Sequence, residues 1–193
     1  MGEKMTRPAR APAVRAVVVH QGRYLLAQHH NRLPEKIGKW GLPGGRIETS
    51  DADLRDALHR ELYEEFVITA DILGFVAMYT YRDRSHHIYL ARPHTVELQV
   101  NVQEILSVAW LTLEEVTALH AQAMLHTGFE LQAIRASLLR YSHLLTHAEI
   151  NAKTVSQTAE LASAPAVQPM SESDSDIQTD HTEPPIDRAA GER

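Results

Sequence analysis

The chain contains no cysteine. Disulfide scaffolds, zinc ribbons, iron–sulfur clusters and thiol nucleophiles are therefore excluded. No apolar run approaches the roughly 20 residues that span a bilayer. Residues 1–12 hold Lys4, Arg7 and Arg10 with no apolar stretch behind them, so they read as a flexible tail and not as a secretory signal. Concentrated positive charge is also missing. Lys and Arg number 19 against 25 Asp and Glu, a net charge of −6, and no basic block stands out. That argues against a nucleic-acid surface. No nucleophile elbow, P-loop or dinucleotide fingerprint occurs. The 12 histidines form no H-E-x-x-H motif. His29-His30 and His86-His87 are sequence neighbours, which a strand sends to opposite faces. A zinc site is not expected. A reducing, cytoplasmic setting is consistent with these absences.

At 193 residues there is room for one ordinary domain with tails. Composition changes near residue 150. Residues 151–193 contain no aromatic side chain and carry eight acidic residues against three basic ones, so most of the net charge lies there. Such a segment buries too little apolar area to offset its ordering entropy. The expectation is a domain over residues 13–148 and a disordered acidic tail over 149–193.

Within the domain, Ala13 to Val19 is β-branched and reads as a strand, with a return strand at Tyr24 to Ala27. A Gly/Pro-rich loop follows from Asn31 to Gly45, then a helix from Asp53 to Phe66. Leu73 to Tyr81, His86 to Ala91, Leu106 to Leu111 and, more weakly, Thr95 to Val100 read as strands. Thr112-Leu113-Glu114-Glu115 is a capping box that starts a helix. A longer helix opens at Thr127 or Gly128, with Leu131, Ile134, Leu138, Tyr141 and Leu145 on one stripe. This order suggests an α+β or α/β sandwich.

Chemistry concentrates in Gly38-Lys39-Trp40-Gly41-Leu42-Pro43-Gly44-Gly45-Arg46-Ile47-Glu48 and in Arg60-Glu61-Leu62-Tyr63-Glu64-Glu65. A helix turns about 100° per residue, which puts Leu54, Leu58, Leu62 and Phe66 on one apolar stripe. On the same wheel Glu61 and Glu65 fall on either side of Leu54, and Glu64 falls farther round. The three carboxylates thus form one patch that overlaps the edge of the apolar stripe. So placed, they repel one another and are partly desolvated. A solvated helix face is the plain reading. A bound Mg²⁺ or Mn²⁺, which takes carboxylate, phosphate and water oxygens, is the functional one. Arg60 lies beside Glu64 and is placed to hold a glutamate. Gly44 and Gly45 allow a close backbone approach. Phe75, Tyr79 and Tyr81 alternate along one expected strand face, for core packing or for base stacking.

These two stretches resemble the Nudix hydrolase box, G-x5-E-x7-R-E-U-x-E-E-x-G-U, with U aliphatic. Gly45 and Arg60-Glu61-Leu62-Tyr63-Glu64-Glu65-Phe66-Val67-Ile68 carry the resemblance, with the Trp40 to Gly45 lead-in and Glu104 six residues before Trp110. It covers residues 13–145. It implies a mixed sheet between helices, an α/β/α sandwich. It also implies a Mg²⁺-dependent (or Mn²⁺-dependent) hydrolase of nucleoside diphosphates linked to another moiety. The metal would be held by Glu61, Glu64, Glu65 and the Gly45 carbonyl. Arg60 would join the catalytic set, and Glu104 or Glu61 would take a proton from water. Arg46, Trp40 and Tyr81 are the candidate substrate contacts. The implied partner is a small nucleotide; neither nucleic acid nor membrane is expected, and a homodimer is left open. The sequence also departs from the box. Its first glutamate is Asp51, one extra residue lies before Arg60, and its late glycine is Val67. Gln28-His29-His30 stands where the family often carries an arginine. A nucleotide-binding module that has lost catalysis is the alternative these departures motivate.

Overall fold

The structure is a computed structural model that describes residues 10–31 and 33–145. The acidic tail expected over 149–193, and most of the N-terminal one, lie outside these residues. Six strands and three α-helices follow in order. They are β1 (Ala13–His20), β2 (Arg23–His29), β3 (Trp40–Gly41), α1 (Leu54–Phe66), β4 (Ala70–Tyr81), β5 (Arg84–Pro93), β6 (Ile105–Thr112), α2 (Leu113–Ala121) and α3 (Glu130–Tyr141). The strands form one mixed sheet in the order β3-β2-β1-β5-β4, with β6 also paired to β2. β1 and β5 run parallel in the middle, and the remaining pairs are antiparallel.

Both faces of the sheet are covered, which the side-chain alternation of β1 explains. Val14, Ala16 and Val18 face α1 and bury Leu58, Leu62 and Phe66. Val17 and Val19 face the other way, against Val116 of α2 and Leu131 and Ile134 of α3. The result is an α/β/α sandwich with two apolar cores. No helix among the described residues is long and apolar enough to cross a membrane.

Local signals set most boundaries. Asp53 caps α1, accepting from Arg55 N at 2.7 Å and Asp56 N at 2.9 Å. Thr112 and Glu115 form the expected capping box of α2. α3 starts at Glu130, just beyond Gly128. Buried Glu130 reaches back to Thr127 N, Thr127 Oγ1 and Gly128 N, all at 2.7 Å.

Three expectations need correction. Residues 95–100 form no strand; backbone donors of this stretch and its end serve α1, with Gln99 N bonded to Phe66 O and Asn101 N to Glu65 O. Those carbonyls belong to the unpaired last turn of the helix. The segment from Asn31 to Gly45 is not wholly a loop, since it holds a 3-10 turn at Pro34–Lys36 and the short β3. Phe75 does not share a face with Tyr79 and Tyr81. The β4–β5 register shifts between Phe75 and Ala77, which inverts the side-chain parity. Phe75 meets Tyr89, whereas Tyr79 stacks on Phe129 at 4.8 Å on the α3 side.

Candidate active site

The site begins where two strands separate. β1 and β2 pair only at Val19–Tyr24 and His20–Arg23. Residues 42–46 fill the wedge that opens beyond them. Ala16 N donates to Pro43 O at 3.0 Å and Val14 N to Gly45 O at 2.9 Å. Gly44 has φ +117°, and a Cβ there would collide with the Val14 carbonyl. Arg15 tightens the turn by donating to the Leu42 and Gly44 carbonyls.

Against this turn α1 presents two buried carboxylates. Glu65 is 2% exposed. It accepts from Gly44 N at 2.9 Å through Oε2, and its Oε1 lies 2.7 Å from His29 Nε2. Glu61 is 9% exposed and packs directly under Gly45, where a Cβ would lie 2.6 Å from its carboxyl carbon. Burial, and secondly the charge of Glu65, push Glu61 up to about 7, with Arg60 opposing. Glu64 is on the rim, its side chain 48% exposed.

Arg60 holds this acidic edge together. Its Nη1 donates to Glu61 at 3.1 Å and to Glu64 at 2.9 Å, and its Nη2 also donates to Arg46 O at 3.0 Å. Nε and Nη2 grip Asp51 at 2.8 and 3.0 Å. The guanidinium holds Asp51 below its usual carboxylate range, helped by the Glu48 amide. Asp51 in turn raises Arg60 above its ordinary value. Asp51 is thus the anchor of Arg60. The extra residue before Arg60 leaves that fork-to-fork pair intact.

Other candidates stand apart. Glu104 is exposed; its Oε1 accepts from Asn101 Nδ2 at 3.2 Å, and it makes no hydrogen bond to the Glu61–Glu65 cluster. Arg46 lies beside the turn, its carbonyl bound by Arg60. Trp40 and Tyr81 pack with the α2/α3 core, on the opposite side of the sheet from α1. Gly45 does not stand apart: it lies against Glu61, and its carbonyl accepts from Val14 N with one of two lone pairs. Among the described residues, no three His, Asp or Glu side chains converge on one metal position. What is assembled is the buried pair Glu61 and Glu65, with Glu64 turned outward to Arg60.

That pair offers a hard cation two carboxylate ligands, with substrate and water oxygens needed to complete its shell. Two carboxylates out of water, with the Glu65 charge raising the proton affinity of Glu61, are costly unless counter-charge or a metal compensates them. Arg60 and His29 supply one donor each, and the glycine turn keeps the space beside Glu61 clear of side chains. The residues present fit a divalent ion. His29 escaped the sequence reading, although its position at the end of β2, where the family often carries an arginine, was the available signal.

Comparisons with known proteins bear on the family and the fold. The family model described as NUDIX domain matches residues 9–129. The chain is 31% identical over 114 residues to the nucleoside triphosphate pyrophosphatase/Nudix hydrolase fusion protein of Bifidobacterium longum, covering 56% of this chain and 22% of that protein. It therefore spans about a fifth of that relative. It is 31% identical over 104 residues to the CTP pyrophosphohydrolase of Escherichia coli, covering 53% of this chain and 76% of that one. Among solved structures, the E. coli ORF135 protein aligns with TM-score 0.50 and 27% identity, over 65% of this chain and 89% of that one. The NUDIX domain of Shewanella oneidensis NrtR, complexed with ADP ribose, aligns with TM-score 0.57 and 23% identity. It covers 72% of this chain and 94% of that one, a likeness of fold.

Proposed function

The chain belongs to the Nudix family, and from that premise we propose that it is a divalent-metal-dependent hydrolase of a nucleoside diphosphate linked to another moiety. The observation that carries the proposal is the buried Glu61–Glu65 pair under the Gly44–Gly45 turn. Glu61 and Glu65 would hold Mg²⁺ or Mn²⁺, with Glu64 at the rim. When bound, the ion supplies charge stabilisation on the phosphoryl oxygens and a more acidic water.

The protein's own groups do the remaining work. His29 and Gly44 N fix both oxygens of Glu65. Asp51 fixes Arg60, and Arg60 orients Glu61 and Glu64. Of the two candidate proton acceptors, Glu61 belongs to the buried cluster and Glu104 does not, so the reading assigns proton transfer from water to a Glu61 oxygen. Arg46, whose carbonyl Arg60 holds beside the glycine turn, would be the nearer substrate contact; Trp40 and Tyr81 would meet only a ligand reaching the other face. A cytoplasmic location and a small nucleotide partner belong to the same proposal. The similarity to a CTP pyrophosphohydrolase puts nucleoside triphosphates first among the substrates to try.

The test is a phosphate-release screen of nucleoside triphosphates, dinucleoside polyphosphates, ADP-ribose and sugar nucleotides, with Mg²⁺ or Mn²⁺ and a coupling phosphatase. Metal-dependent turnover is expected to fall at least 100-fold in Glu61→Gln and Glu65→Gln, and less than threefold in Glu104→Gln. Ligand binding by folded protein without turnover of any compound would replace the hydrolase with a binding module. Unchanged activity in Glu65→Gln would remove the metal assignment.

A further inference from the structure

Among the described residues Lys36 is the one buried lysine or arginine, at 9% exposure. Its surroundings do not explain why. Nζ donates to the His126 carbonyl and lies 4.7 Å over the Tyr81 ring. No carboxylate of a described residue pairs with it; the neighbouring Glu35 is turned to Arg82 at 3.1 Å. The buried acid of the same region, Glu130, is already bound by three donors at 2.7 Å. The direct contacts of this buried ammonium are thus one carbonyl and one ring, with Glu35 hydrogen-bonded to Arg82, which leaves it able to take an anionic partner.

Beside Lys36 is a cavity of about 230 Å³ between the 3-10 turn and the segment joining α2 to α3. Lys36, Lys39, His120, Leu125 and Gly128 line it. Lys39 adds a second ammonium, and no acidic residue is among the lining groups. The half-buried His126 imidazole, whose backbone carbonyl takes the Lys36 contact, also borders the cavity. It is pushed down to about 3, first by burial and then by Arg15 and Lys36. The volume is too small for a whole drug-sized ligand. It suits one charged group and the atoms that attach it. Arg15, Leu42, His126 and Glu130 pack against one another beside the cavity and leave no room for a water, and Arg15 also holds the Gly44 carbonyl.

We propose that this cavity is a subsite for a phosphoryl group of the substrate other than the one attacked, with Lys36 as the cation that pairs with it. A compact ammonium acts as a point charge for phosphate. The assignment to substrate rests on the hydrolase reading of the neighbouring site; the anion site itself does not.

The test is a titration of the metal-free, ¹⁵N-labelled full chain with inorganic phosphate. Saturable amide shifts are expected at residues 36–39 and 120–128. Lys36→Met is expected to weaken binding at least tenfold, Lys36→Arg less than threefold, and Glu65→Gln not at all. The spectra of the variants report directly whether each one folds. Absent or non-saturable shifts, or wild-type binding by folded Lys36→Met, would overturn the proposal. The titration contains neither metal nor substrate, so its failure is separable from failure of the hydrolase reading. With a turned-over anhydride, Lys36→Met is expected to raise KM at least tenfold and leave kcat within threefold. A phosphate site with unchanged KM would mean that the cavity takes free phosphate, and the proposal would fall.

Discussion

Gly44 and Gly45 are adjacent, yet alanine at each should fail for a different reason. At Gly44 the obstacle is the fold. Its φ of +117° is a conformation that L side chains rarely adopt, and the added Cβ meets the backbone of Val14, which cannot yield like a side chain. Strain of this kind costs on the order of 1–3 kcal/mol before the collision is counted. Gly44→Ala should therefore lose about 3 kcal/mol or more in a urea melt. At Gly45 the backbone accepts alanine, because its φ is not positive. There the Cβ would sit 2.6 Å from the Glu61 carboxyl carbon, and ordinary contact begins at 3.4 Å. The carboxylate must retreat by most of an ångström. A misplacement of about 1 Å in a reacting group can cost roughly 100-fold in rate. Gly45→Ala should keep its urea midpoint near that of the wild type, bind Mn²⁺ more weakly in a paramagnetic titration, and lose about two orders of magnitude in kcat. A Gly45→Ala protein with wild-type metal affinity and turnover would refute the claim that the Glu61 carboxylate works from this position.

Two further outcomes follow from the same coordinates. Val67 closes α1 at φ +54°, a left-handed position that is unfavourable for a β-branched side chain, so Val67→Gly should stabilise the domain by about 0.5–1 kcal/mol in thermal unfolding; a lower Tm would show that Val67 packing outweighs the strain. His86 is 4% exposed, and burial, then Arg15, Arg84 and His87, lower it to about 4, below the unfolded value near 6.5. Its neutral form contributes stability that is complete above about pH 6.5 and declines, by on the order of 3 kcal/mol, as pH falls toward 4. His86→Phe should flatten that part of the stability curve, and an unchanged slope would place the acid sensitivity elsewhere.

How much of this was legible depended on whether the determinant was local. Asp53, the capping box at Thr112 and the apolar spacing of Leu58, Leu62 and Phe66 act within one or two helical turns, and their elements appear where the sequence puts them. Residues 95–100 mislead because their alternation resembles a strand, while the Gln99 and Asn101 amides go to α1 carbonyls much earlier in the chain. Periodicity holds no record of such a partner. The β4 faces escape for a related reason: a one-residue shift against β5 inverts parity without altering composition. The tight Gly44 turn is foreshadowed by its glycine, but its wedge between β1 and β2 depends on where those strands separate.

The site divides along the same line. The carboxylate patch at the edge of the apolar stripe follows from helix geometry, and the structure buries Glu61 and Glu65 and leaves Glu64 at the rim, in the order of their angles from that stripe. What the wheel omits is the next layer of contacts. Asp51, a departure from the box in the sequence, grips Arg60 through both oxygens. The shorter side chain and the extra loop residue are two deviations that meet in one intact ion pair. Val67 is absorbed likewise, taking the left-handed turn that a glycine would take, with its amide bonded to Tyr63 O at 2.8 Å. The departures that suggested a disabled enzyme therefore leave Glu61, Glu65 and their supports in place. A deviation in a motif is informative about activity only once its contacts are known. Here those contacts are the support for the hydrolase proposed above, and none of them points to an inert module.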